Sequence, residues 1–213
     1  MKKLFTGLLF FLLVSLTHVL ANEHKTKDGT DYSILTIQLK NAEASEASFF
    51  NESKRRAVIF VPGKIFNKES WHFLASKLKR LGISSLCLDG KSSLHISKAA
   101  QILRYKGFEK IYLVGASMGG ASVLYSLEDI DKLIDKVVVL APFGGEAIKS
   151  TSIKKLFIVA KDDGWGAQTY PLFKSSSEPK TFKEYDGAQH AQHLFKGKHK
   201  ESLTTTIVDF LNM

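Results

Sequence analysis

The sequence predicts an α/β protein built on a mostly parallel central sheet with helices on both faces. Two observations carry that expectation. Short, wholly apolar runs alternate along the chain with segments whose apolar residues recur at helical spacing. The composition, 44% hydrophobic and 24% charged over 213 residues, is that of a globular chain long enough for one domain. The single cysteine, Cys87, excludes an intramolecular disulfide and a cysteine-rich zinc site.

The elements follow in order. Met1-Lys2-Lys3 precedes an apolar stretch from Leu4 to Leu20, closed by Val19-Leu20-Ala21. A basic start, an apolar core and a small residue at the cut predict a secretory signal peptide over residues 1–21, of bacterial type, with the periplasm or the exterior as destination. An uncleaved anchor is the alternative, since the run approaches spanning length. Residues 22–213 then form one domain. Asn22 to Thr30 is polar and reads as a frayed lead-in. Tyr32 to Leu39 alternates and predicts a half-buried strand, and residues 41–56 read as a loop. Ala57 to Val61 is an apolar run stopped by Pro62-Gly63, as for a strand covered on both faces. Lys68 to Leu81 places Trp71, Leu74, Leu78 and Leu81 on one helical stripe, ended by Gly82. Strands are then expected at 83–88, 110–114, 136–140, 156–160 and 180–185, with helices at 96–105, 118–127 and 201–211.

The formal charge of +9 falls by two once Lys2 and Lys3 are removed with the signal. What remains is scattered in short basic clusters without interleaved aromatics. This argues against nucleic-acid binding and leaves peripheral attraction to an anionic envelope as the partner-level expectation.

In an open α/β sheet, sites form beyond the carboxyl ends of strands. After the run ending at Val114 stands Gly115-Ala116-Ser117-Met118-Gly119, and a helical pattern follows. Strand, sharp turn, helix is the setting in which G-x-S-x-G presents a serine nucleophile, with the N–H of Met118 beside it as an oxyanion donor. The alternative is a glycine-rich helix start that packs closely or binds an anion. A serine needs a base, and the base a carboxylate. Lys161-Asp162-Asp163-Gly164 follows one predicted strand, and Asp186-Gly187-Ala188-Gln189-His190 follows another. Both candidates therefore stand at strand ends, in the order Ser, Asp, His.

On these residues the chain resembles an α/β-hydrolase of the dienelactone-hydrolase and carboxylesterase kind, over roughly residues 57–212. The resemblance implies a triad of Ser117, Asp163 and His190, with Asp163 preferred over Asp162 and His190 over His193 by family position. It also implies a second oxyanion donor at the backbone N–H of Lys64, although Pro62 stands where the family often has histidine. No cofactor and no metal are implied.

The implied reaction is cleavage of carboxylic esters through an acyl-enzyme, with thioesters and amides left open. The substrate would be a small-molecule or envelope-derived acyl compound. The short interval from Ala141 to Lys155 leaves no space for a cap, so the site should be open. Phe143, Trp165, Tyr170 and Phe173 are candidates for an apolar wall, with ordinary packing as the competing role. A non-catalytic binding protein of the cell envelope with the same fold is the alternative function.

Overall fold

A computed structural model describes residues 23–40 and 43–213; the expected signal peptide lies outside the described residues. The strands are β1 (His24–Lys25), β2 (Asp31–Gln38), β3 (Ala44–Phe50), β4 (Arg56–Val61), β5 (Ser84–Leu88), β6 (Lys110–Ala116), β7 (Lys136–Leu140), β8 (Lys154–Ala160) and β9 (Lys180–Tyr185). They form one nine-stranded sheet in the order β1-β2-β3-β5-β4-β6-β7-β8-β9. The pairings from β5 through β9 are parallel, and β1 to β3 add an antiparallel flank. The helices are α1 (His72–Lys79), α2 (Ser93–Tyr105), α3 (Met118–Ile130), α4 (Thr169–Ser175) and α5 (Lys200–Asn212).

The uninterrupted apolar runs arise because both faces of the sheet are covered. Along β4, Val58 and Phe60 join a core with Trp71 and Leu78 and, from α5, Leu203, Ile207 and Leu211. Ala57, Ile59 and Val61 join a second core with Ile96, Leu103 and Val123. Helices α1 and α5 thus close one face, and α2 and α3 the other. A strand with apolar partners above and below loses the alternation that a half-solvated strand keeps.

Several elements depart from the sequence expectation. Residues 41–56, expected to be a loop, contain β3, which pairs with both β2 and β5. Its sequence, ASEASFF, hides the pattern because a serine occupies a core-facing position. Ser48 is fully buried, with its Oγ 3.0 Å from Nε2 of His72. The polar lead-in contains the short strand β1. Helix α4 has no counterpart in the sequence reading, and Pro171 inside it argues against a helix. At the third helical position, however, a proline's missing N–H is one that the first turn leaves unpaired anyway. The stripe expected over 68–81 is a 3₁₀ turn, Lys68–Trp71, leading into α1, and Leu81 lies outside the helix and is exposed.

His72 pins the antiparallel flank to α1. Its ring packs against Tyr32 and Phe50, with centroids at 4.8 and 5.1 Å. Burial pushes its pKa below the ordinary 6.5, opposed by Glu69 and Asp89 and reinforced by Lys68. The folded state therefore favours neutral His72, while the unfolded chain takes up the proton as pH falls through the ordinary histidine range. The unfolded state binds more protons there, so this group removes stability as pH falls below 6.5. Urea unfolding at pH values above and below that point should show a smaller acid-side loss in His72→Gln than in the wild type. Equal losses in the two proteins would contradict the assignment.

Candidate active site

The sheet order reverses at β4: the chain steps outward to β5, then returns past β4 to β6. The crevice beyond the carboxyl ends of β4 and β6 is therefore the expected ligand position for an open parallel sheet. Two loops meet there, Pro62 to Phe66 after β4 and Ser117 after β6.

Ser117 has φ 52°, in the left-handed region that costs a side-chain-bearing residue energy. Its backbone is held on both sides. Its N–H donates to the Leu140 carbonyl at 2.9 Å, and its carbonyl accepts from Ala121 N–H at 3.0 Å and Phe143 N–H at 3.1 Å. The turn closes only because its neighbours lack side chains. A Cβ on Gly119 would lie 2.5 Å from the Pro62 carbonyl oxygen and 2.6 Å from that of Val61. A Cβ on Gly115 would lie 2.7 Å from the Gly119 carbonyl oxygen. These close approaches set the start of α3 directly against the end of β4.

Asp163 follows β8 and is buried. It caps the 3₁₀ turn Gly164–Gly166, its Oδ1 accepting from Trp165 N–H at 3.1 Å. Gly166 makes room for the carboxylate, since a Cβ there would sit 2.7 Å from Oδ2. His190 follows β9. Its Nδ1 lies 3.0 and 2.8 Å from the two Asp163 oxygens, and its Nε2 lies 2.8 Å from Ser117 Oγ. An ionised carboxylate can only accept, so Nδ1 carries the hydrogen and donates to Asp163. Nε2 of the neutral ring is then an acceptor for the Ser117 hydroxyl.

The structure thus brings Ser117, Asp163 and His190 into one hydrogen-bonded line, and Lys64 and Met118 line the same cavity as Ser117 and His190. Asp162, His193 and the other histidines take no part in this line. Asp162 is exposed, and its backbone N–H donates to the Gly187 carbonyl. His193 lines the same cavity but is not a member of the relay; its backbone N–H donates to the His190 carbonyl at 2.9 Å, and its ring lies 5.2 Å from that of Phe66. Burial, together with Lys196, lowers the pKa of His193. His95 lies at the start of α2, with Nδ1 2.7 Å from Ser92 Oγ. His199 donates from Nε2 to the Asp186 carbonyl, and His24 stacks on Tyr32.

The cavity holds about 550 Å³, and its walls are mainly apolar. Phe143 and Trp165 form part of the wall, with their rings 5.7 Å apart and both largely exposed. Tyr170 and Phe173, named with them from the sequence, lie in α4 and instead pack onto Phe182 of β9. The interval from Ala141 to Lys155 is tied down as a tight loop, the buried Lys155 ammonium donating to the carbonyls of Ser150 and Ile153 at 2.6 and 2.7 Å. It leaves the mouth uncovered.

One residue at the site has no role in the sequence reading. Gln192 is buried, and its Oε1 accepts from Gly63 N–H at 2.7 Å. Its only sequence signal is its place two positions after His190.

Because the Gly119 position meets backbone rather than movable side chain, Gly119→Ala should lower stability by about 1–3 kcal/mol, as overpacking does. Urea unfolding midpoints measure this, and an unchanged midpoint would show that the β4–α3 approach tolerates a methyl group.

Comparison with known proteins places these features in context. The model of the Alpha/beta hydrolase family matches residues 57–209. A search of curated proteins finds no match to the chain. Among solved structures, the alpha/beta hydrolase GrgF from Penicillium sp. sh18 is similar at 15% identity, covering 84% of this chain and 97% of that one, with a TM-score of 0.70. Dienelactone hydrolase from Anabaena variabilis ATCC 29413 is similar at 14% identity, covering 85% and 94%, with a TM-score of 0.68. The monoacylglycerol lipase of Paleococcus ferrophilus is similar at 17% identity, covering 79% and 98%, with a TM-score of 0.65. At these identities the likeness is one of fold.

Proposed function

The chain belongs to the alpha/beta hydrolase family, and from that premise we propose that it is an exported serine hydrolase that cleaves carboxylic esters through an acyl-enzyme. Fold alone does not assign a reaction. The observation that carries the reading is the continuous relay from Asp163 through His190 to Ser117, with distances of 2.8 Å at each junction.

In this reading His190 Nε2 takes the Ser117 proton as Oγ attacks the acyl carbon. Asp163 holds the imidazole in the Nδ1–H tautomer and stabilises the imidazolium that forms. The backbone N–H groups of Met118 and Lys64 donate to the oxyanion of the tetrahedral intermediate. Collapse expels the alcohol, which takes the proton from His190 Nε2. Water, deprotonated by the same nitrogen, then releases the acid and restores the serine. The acyl portion lies against the apolar wall that includes Phe143 and Trp165. No other group is needed for the cycle.

The open mouth supports small esters or acyl groups presented on a larger envelope-derived compound over a single enclosed lipid. Residues 1–21 support export to the periplasm or beyond. The scattered basic clusters support peripheral contact with an anionic envelope and not nucleic-acid recognition.

The test is turnover of short-chain acyl esters by the mature protein. Ser117→Ala should lower kcat by at least about 10³-fold while the thermal transition is kept. Wild-type turnover that survives unchanged in Ser117→Ala would assign the chemistry to another group.

A further inference from the structure

We propose that Gln192 is a positioning residue that holds the Lys64 donor loop in register with the base, an inference that rests on the acyl-transfer reading above. Gln192 is 4% exposed and engages the segment that follows β4 with both ends of its amide. Oε1 accepts from Gly63 N–H at 2.7 Å, and Nε2 donates to Ser70 Oγ at 2.9 Å. The Ser70 hydroxyl in turn donates to the Asn67 carbonyl at 2.6 Å.

This network leaves one orientation for the amide. Gly63 N–H can only donate, so the atom facing it must be the oxygen. The Ser70 hydrogen is committed to Asn67, so Ser70 Oγ must accept, and the atom facing it must be the amide nitrogen.

The clamp acts on the peptide that matters. The Gly63 carbonyl accepts from Phe66 N–H at 3.1 Å, closing a turn over residues 63–66. In a planar trans peptide the carbonyl and the following N–H point in opposite directions. With the Gly63 carbonyl engaged by Phe66, the N–H of Lys64 faces the other side of the turn. Gln192 and Phe66 together therefore hold Gly63 at its N–H and its carbonyl, and so orient the Gly63–Lys64 peptide. The loop has little slack against the nucleophile, since a Cβ on Gly63 would lie 3.4 Å from both Ser117 Cβ and Gln192 Oε1.

Gln192 stands two residues beyond His190, separated from it by Ala191 at φ 47°. One short segment thus carries the base and fixes the facing oxyanion donor. Without the acceptor, Gly63 N–H would be buried without a partner, and the loop would rotate to satisfy it.

Because an oxyanion interaction is used more in the transition state than in the bound substrate, misplacing its donor should reduce kcat with little change in KM. The experiment measures steady-state turnover of p-nitrophenyl butyrate, below the thermal transition of each protein, for wild type, Gln192→Met, Gln192→Glu and Ser117→Ala. Methionine keeps the volume and removes the acceptor; glutamate keeps an acceptor for Gly63.

The expected result for Gln192→Met is a kcat loss of about 10- to 100-fold with KM within about threefold, and partial recovery of kcat in Gln192→Glu. A purely structural role would lower the thermal transition of both variants without that split. If Gln192→Met does not fold, Ser70→Ala frees the other end of the amide and should lower kcat in the same direction. Wild-type turnover abolished by Ser117→Ala, with Gln192→Met within about twofold of wild-type kcat or with the methionine and glutamate variants equally slow, overturns the role of Gln192 alone. Wild-type turnover that Ser117→Ala does not remove, or its absence altogether, overturns the acyl-transfer reading and this proposal with it.

Discussion

The site depends on how closely the beginning of α3 can approach the end of β4. Gly115 and Gly119 let the chain leave β6 and enter a helix with no intervening loop, against backbone atoms of Val61 and Pro62. That approach forces Ser117 to φ 52° and brings it beside the loop after β4. The unfavourable conformation is retained because the surrounding backbone over-determines it, through bonds to Leu140, Ala121 and Phe143. The cost of this conformation is offset by the two buried cores, which fix β4 and β6 side by side.

The other site residues are placed by the same edge of the sheet with different local devices. Asp163 is held by its capping bond to Trp165 N–H and by the space that Gly166 leaves, so its carboxylate is buried yet satisfied. His190 is oriented from both ends of its ring. Among the described residues, the non-glycine residues with left-handed φ are Ser117, Ala141 and Ala191, and all follow strand ends at this edge or adjoin His190. Backbone strain is thus concentrated where side chains must be aimed, while helices and strands below it are regular.

Much of this is legible in the sequence because parallel strands buried on both faces announce themselves as apolar runs, and the residues just beyond those runs are brought together by topology. Ser117 and the segments that carry Asp163 and His190 are reached from strand ends in that way, whereas the choice of Asp163 over Asp162 and of His190 over His193 rests on the family resemblance; the geometry adds the distances between them. What is not legible has specific physical causes. β3 is hidden by Ser48, a polar residue whose burial depends on His72 across the packing interface. α4 is hidden by Pro171, which is harmless in a first turn. Gln192 follows no motif, and its place at the site arises from a bond to Gly63, far away in the chain. Of the four aromatic residues named as a wall, spacing could not separate Phe143 and Trp165, which reach the cavity, from Tyr170 and Phe173, which pack from α4 onto Phe182 of β9.

The central claim is that Ser117 is activated as a nucleophile by His190. It is tested most directly by intact-mass and peptide-mapping analysis after incubation with a fluorophosphonate, which labels only a serine whose proton is being removed. The account predicts a single adduct on the mature wild-type protein, mapped to Ser117 and absent from folded His190→Ala. An unlabelled, folded wild type, or an adduct that persists at Ser117 in His190→Ala, would contradict it.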